Sequence, residues 1–124
     1  MKLEHVNLTV RDPKATAAML CELFDWQVRW EGDSIYGGHT VHVGDTESYL
    51  ALYAPPKDIQ SAEESYYRAG GLNHIGIVVA DLDVVEARVK AAGFVPGSHA
   101  DYEPGKRFYF EGPDDVEYEV ISYA

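Results

Sequence analysis

The sequence predicts an α+β fold made of two copies of one β-α-β-β-β module. Three observations carry that prediction. The block LEHVNLTVRD at 3–12 returns as LNHIGIVVAD at 72–81, so that Leu3, His5, Val10 and Asp12 recur as Leu72, His74, Val79 and Asp81, and Val6 and Leu8 as Ile75 and Ile77. Each block alternates apolar and polar residues, the signature of a half-buried strand. Each is followed by a helix signal and then by further strand-like stretches.

The elements follow in order. Asp12 and Asp81 stand where a carboxylate can accept the free amide hydrogens of a helix start. Pro13 occupies the first helical position, where its missing N–H costs little. Ala17, Leu20, Cys21 and Phe24 then fall at helical spacing, as do Leu82, Val85, Val89 and Ala92, with Gly93 closing the second helix. Strands are expected at about 26–31, 35–43 and 48–53 in the first half, and at about 94–97, 106–111 and 116–122 in the second. The stretch from Pro55 to Gly71 reads as a connector with a short helix over Ser61–Tyr67.

A module of about 55 residues buries too little surface to stand alone. The expectation is therefore one domain over residues 1–124, with module 1 at about 1–55, a connector at about 56–70 and module 2 at about 71–124. Its two pseudo-symmetric modules would set curved mixed sheets around a metal-binding cleft, with the helices outside.

Composition narrows the function. The 124 residues carry 21 acidic and 10 basic side chains, a net charge of −11. Such a field repels phosphate backbones, which argues against nucleic acid, and attracts cations. The one cysteine, Cys21, rules out an internal disulfide framework and fits a reducing compartment. No apolar stretch approaches a membrane span and the start has no signal core, so a cytoplasmic protein without membrane contact is expected.

The chemistry follows from the period of two. Along the first strand Val6, Leu8 and Val10 point one way, and His5, Asn7 and Thr9 the other. His74 takes the equivalent place in the second block. In the last strand Glu117, Glu119 and Ile121 share a face, and at an offset of 68 Ala51 matches Glu119. Two imidazoles and one carboxylate, His5, His74 and Glu119, form a set suited to one divalent ion. Fe(II) or Mn(II) is favoured, with Zn(II), Co(II) or Ni(II) as other choices. Three protein ligands leave positions open for a substrate chelating through vicinal oxygens. A register shift of two would put Glu117 in the place of Glu119.

Other candidates surround that set. His39 and His42 are three apart on a strand and face opposite ways, so one of them could transfer protons. His99 follows Gly97-Ser98 in a polar loop and could act as a mobile acid or base. Tyr109 shares a face with Arg107 and Glu111 and could donate a hydrogen bond to a chelated oxygen. Tyr36, Tyr49, Tyr53, Tyr66, Tyr67 and Tyr109 could wall a site for a partly aromatic or flat cationic ligand. Cys21 falls on the buried stripe of its helix and should be inert.

The two openings and the closing GPDDVEYEVIS together resemble the vicinal oxygen chelate superfamily of glyoxalase I, extradiol dioxygenases, bleomycin-resistance binding proteins and fosfomycin-resistance enzymes. The resemblance spans nearly the whole chain. It implies metal ligands on the opening and closing strands, which map to His5, His74 and Glu119. The fourth ligand of glyoxalase I, a Glu, maps to Ala51. The extradiol enzymes keep two His and one Glu, as here. Their acid/base His, expected just before Tyr49, is missing, and His39 or His42 would have to serve. The basic residues and potassium loop of the fosfomycin-resistance enzymes are not found. The resemblance implies a metal-dependent enzyme, ring-cleaving first and glyoxalase-like isomerase or lyase second. The alternative is an acidic, non-catalytic binder of a flat cationic ligand. A homodimer acting on a small molecule is expected in either case.

Overall fold

Both predicted helix caps form. Asp12 accepts the amide hydrogen of Ala15 at 3.0 Å and Asp81 that of Val84 at 3.2 Å. The computed structural model describes residues 1–34 and 36–124. The expected beginning of a strand at Ile35 lies outside the described residues. The chain divides into two compact units, 1–60 and 61–124.

In the first unit β1 (His5–Thr9) leads to α1 (Pro13–Phe24), then β2 (Gln27–Asp33), β3 (His39–Gly44) and β4 (Tyr49–Ala54). In the second, β5 (Ile75–Val78) leads to α2 (Leu82–Ala91), β6 (Gly97–Tyr102), β7 (Gly105–Glu111) and β8 (Glu117–Ser122), with a 3-10 turn at Pro113–Asp115. The fold is thus α+β, with two β-α-β-β-β units. Each holds a four-stranded sheet, ordered β1-β4-β3-β2 and β5-β8-β7-β6. In each sheet the first and last strands run parallel, and all other pairs are antiparallel.

Alternation decides what each sheet buries. In the first unit Val41, Val43, Leu50 and Leu52 are buried, as are Ala17, Leu20, Leu23 and Phe24 of α1. In the second, Phe108, Phe110, Tyr118, Val120 and Ile77 are buried, with Val85 and Val89 of α2. Removing such a side chain from water contributes about 1.5–3 kcal/mol each.

Four expectations change. Leu23 takes the buried place expected of Cys21, which is half-buried, and Ala92 is exposed. No strand forms at 94–96; β6 begins at Gly97, so His99 stands in a strand and not in a loop. That strand is held by backbone pairing to β7, Ala100 with Arg107 and Tyr102 with Gly105, while its side chains are mostly exposed. It therefore lacks the apolar alternation that marks a strand in sequence. The helix expected over Ser61–Tyr67 does not form. Its backbone turns instead, with Arg68 N donating to Ser65 O and Tyr66 N to the Glu64 carboxylate.

Candidate functional site

The first unit gathers aromatic and basic groups on the face of its sheet away from the aliphatic core. Register sets His5 opposite Tyr49, Ala51 between Asn7 and His42, and Trp30 opposite His42. The rings stack in a column. Trp30 lies 5.1 Å from His42, His42 4.6 Å from Tyr49, and Tyr49 4.9 Å from His5. The Arg29 guanidinium sits 4.7 Å over the Tyr49 ring, a cation–π contact.

Glu4 anchors the end of this column. Its Oε1 lies 2.9 Å from His5 Nδ1 and accepts from the Tyr49 hydroxyl at 3.2 Å. Those two bonds, the His5 one first, hold the Glu4 carboxyl below its ordinary range. Burial, and then the bond to Glu4, push the Tyr49 phenol up. Burial first, then the neighbouring His5 imidazole and Arg29 guanidinium, push His42 down, favouring its neutral form.

The second unit builds the matching face from different residues. Glu119 stands opposite both Gly76 and Tyr109. The Tyr109 hydroxyl donates to Glu119 Oε2, and Arg107 Nη1 approaches the same oxygen at 3.4 Å. Both contacts thus fall on one oxygen, leaving Oε1. Hydrogen bonding to Glu119 is the main cause that raises the Tyr109 phenol. The Tyr109 ring meets His74 edge-on at 5.7 Å. Tyr66 of the connector donates to Glu117 Oε2 at 2.8 Å, and its oxygen lies 3.3 Å from His74 Nδ1. The bond to Glu117 pushes the Tyr66 phenol up to about 12.

The predicted residues therefore divide. His5 and His42 share one face in the first unit. His74, Tyr109 and Glu119 share one in the second, and Glu117 lies beside them. His39 and His99 are held elsewhere. His39 Nε2 is 2.9 Å from Glu31, which also meets Lys14 of α1. His99 Nε2 is 3.0 Å from Glu86 of α2. Within either unit, no group of three or more His, Cys, Asp or Glu among the described residues converges as a metal cluster.

Glu4, Arg29, Trp30 and Arg107 carry no local mark of a role in the sequence, and Tyr66 stands out there only as one of several tyrosines. Glu4 adjoins His5, but the second block has Asn73 there, so the repeat gave no hint. Tyr66 bonds to a residue 51 positions away, beyond the reach of any local pattern.

The donor atoms suit a metal. His5 Nδ1 is engaged by a carboxylate and His74 Nδ1 by a phenol, which favours the tautomer with the lone pair on Nε2. A ligating His commonly has its other nitrogen held in this way. Glu119 keeps Oε1 while Oε2 is held. Imidazole nitrogens and carboxylate oxygens are, each by itself, donors that divalent ions take.

The sequence matches the model of the Glyoxalase/Bleomycin resistance protein/Dioxygenase superfamily over residues 2–120. No curated protein sequence matches it. Solved structures do. A glyoxylase/bleomycin resistance protein/dioxygenase domain from Frankia sp. EAN1pec superposes with a TM-score of 0.82 at 22% identity, covering 98% of this chain and 97% of that one. A glyoxalase family protein from Enterococcus faecalis gives a TM-score of 0.77 at 19% identity, covering 97% and 96%. A variant of the fosfomycin resistance protein FosX from Listeria monocytogenes, complexed with Mn(II) and 1S,2S-dihydroxypropylphosphonic acid, gives 0.76 at 19%, covering 97% and 90%. At these identities the structures speak to the fold alone. With nearly the whole sequence matched by one family and the duplicated module formed, this chain belongs to the Glyoxalase/Bleomycin resistance protein/Dioxygenase superfamily.

Proposed function

We propose that this chain is a divalent-metal-dependent enzyme whose ligands are His5, His74 and Glu119, acting on a small substrate with two vicinal oxygens. The carrying observation is the state of the donor atoms. Each proposed ligand has one donor engaged by a neighbour and a second one left, His5 Nε2, His74 Nε2 and Glu119 Oε1. A bound Fe(II) or Mn(II) would supply Lewis acidity and a place for dioxygen.

Ring-cleaving dioxygenation of a catechol is the first reaction. Ala51 stands at the register position equivalent to Glu119, so the set is one of three ligands, without the fourth Glu of glyoxalase I. The column Trp30–His42–Tyr49 offers a flat ring something to stack on. His42, favoured in its neutral form, takes the substrate proton, and the Tyr109 hydroxyl orients an oxygen once its bond to Glu119 is shared. Glyoxalase-like isomerisation or lyase chemistry stands second. One observation favours a non-catalytic binder instead. The same column in a chain of net charge −11 also suits a flat cation.

The test is metal binding followed by turnover. Metal-free protein is titrated with Fe(II), Mn(II), Zn(II) and Co(II), and so are His5→Ala, His74→Ala and Glu119→Ala. Wild type should take one ion per chain, and each variant should lose more than the roughly 10- to 100-fold in affinity that removing an outer-shell partner costs. Catechols with oxygen are then compared with 2-oxoaldehyde–thiol adducts. Wild type that stays empty in all four metals while binding flat cations would overturn the enzyme reading.

A further inference from the structure

We infer that Tyr66, carried by the connector, is a positioning residue that fixes the tautomer of His74, with Glu117 setting the direction of its hydrogen bond. The relay has a definite polarity. Glu117, as a carboxylate, can only accept, so the Tyr66 O–H points to its Oε2 at 2.8 Å. The phenol oxygen then has only lone pairs to offer His74 Nδ1 at 3.3 Å. His74 must therefore carry its proton on Nδ1 and its lone pair on Nε2.

The first unit reaches the same end with its parts exchanged. By register, Tyr49 and Glu117 are equivalent, each two residues before the pair Ala51 and Glu119. In the first unit the tyrosine is on the closing strand and the carboxylate, Glu4, comes from beside the histidine. In the second unit the carboxylate is on the closing strand, and the tyrosine is brought in by the connector. His5 therefore faces a carboxylate directly, whereas His74 faces one through a phenol. Each histidine is nonetheless left with the same nitrogen to use. A connector that served only to join two units would not need to place a hydroxyl between these two groups.

The inference rests on the metal reading only for its purpose, so the test reads His74 without metal first. Imidazole nitrogens of metal-free protein are observed by long-range proton–nitrogen NMR. Wild-type His74 should be protonated on Nδ1. Tyr66→Phe should release it to a mixture in which the Nε2–H form is prominent. Glu117→Ala should invert it. With the acceptor gone, the Tyr66 O–H turns to donate to Nδ1 and the proton moves to Nε2. Tyr67→Phe, an exposed neighbour, should change nothing. Co(II) affinity should then fall about 10- to 100-fold in Tyr66→Phe. A wild-type His74 protonated on Nε2, or a tautomer unmoved in both Tyr66→Phe and Glu117→Ala, overturns the inference. The expected tautomers in a protein that takes up no metal would support the relay and overturn the metal reading instead.

Discussion

Ala51 and Glu119 occupy one and the same register position in the two sheets. Ala51 stands opposite Asn7 and His42, and Glu119 opposite Gly76 and Tyr109. The duplicated module thus keeps a carboxylate in one half and a methyl group in the other. Ala51 is 3% exposed, so the absence of a carboxylate there is also a matter of packing.

Ala51→Glu would restore the missing carboxylate. Without metal it should destabilise the protein by about 3 kcal/mol, the penalty of an unpaired buried carboxylate. Saturating Mn(II) or Zn(II) should recover part of that loss. Urea unfolding with and without metal measures both, and a variant as stable as wild type without metal would contradict the burial argument.

Glu119→Gln keeps the shape and removes the charge. Since the bond to Glu119 is what chiefly raises the Tyr109 phenol, the variant should let Tyr109 ionise at lower pH. The phenolate absorbance difference between Glu119→Gln and Glu119→Gln/Tyr109→Phe isolates that one group among the tyrosines. An ionisation as high as in wild type would refute the assignment.

Asp45 closes the β3–β4 turn by accepting Ser48 N at 2.8 Å and Glu47 N at 2.7 Å. Those bonds, Ser48 first, hold its carboxyl below the ordinary 3.8. A depressed folded value means stability that is present above the unfolded value and lost as pH falls through the folded one. Asp45→Ala should cost about 0.5–1 kcal/mol at neutral pH, since the group is exposed. The gap from wild type should narrow below about pH 4. Denaturation at two pH values checks the sign.

Phe108 is fully buried, with Phe110 beside it on the strand. Phe108→Ala should cost about 3–5 kcal/mol. Circular dichroism during urea unfolding reports it, and a loss below about 1 kcal/mol would mean the second core does not pack as described.

The parts legible in the sequence are those where burial writes a pattern. The repeat placed β1 and β5, the aspartate caps placed both helices, and alternation put Arg107, Tyr109 and Glu111 on one face. The same alternation put His39 and His42 on opposite faces. What could not be read depends on backbone pairing or on distant partners. Strand β6 is held by β7 and not by its own side chains. The Tyr66–Glu117 bond joins a connector to a closing strand. Trp30 and Arg29 gain their meaning only once β2 lies beside β3 and their side chains meet His42 and Tyr49.

Strand order has a practical side. In each unit the opening and closing strands, which carry His5, Ala51 and Glu119, are hydrogen-bonded neighbours, while the β2–β3 and β6–β7 hairpins fold back at the far edge. Extra residues grafted into the β6–β7 turn would leave the pairing of β5 with β8 undisturbed, provided Gly105 is kept, since a Cβ there would meet Ser122 O at 2.5 Å. A loop library placed between β6 and β7 can thus vary in length and sequence around that one fixed glycine while the parallel strand pair stays as it is.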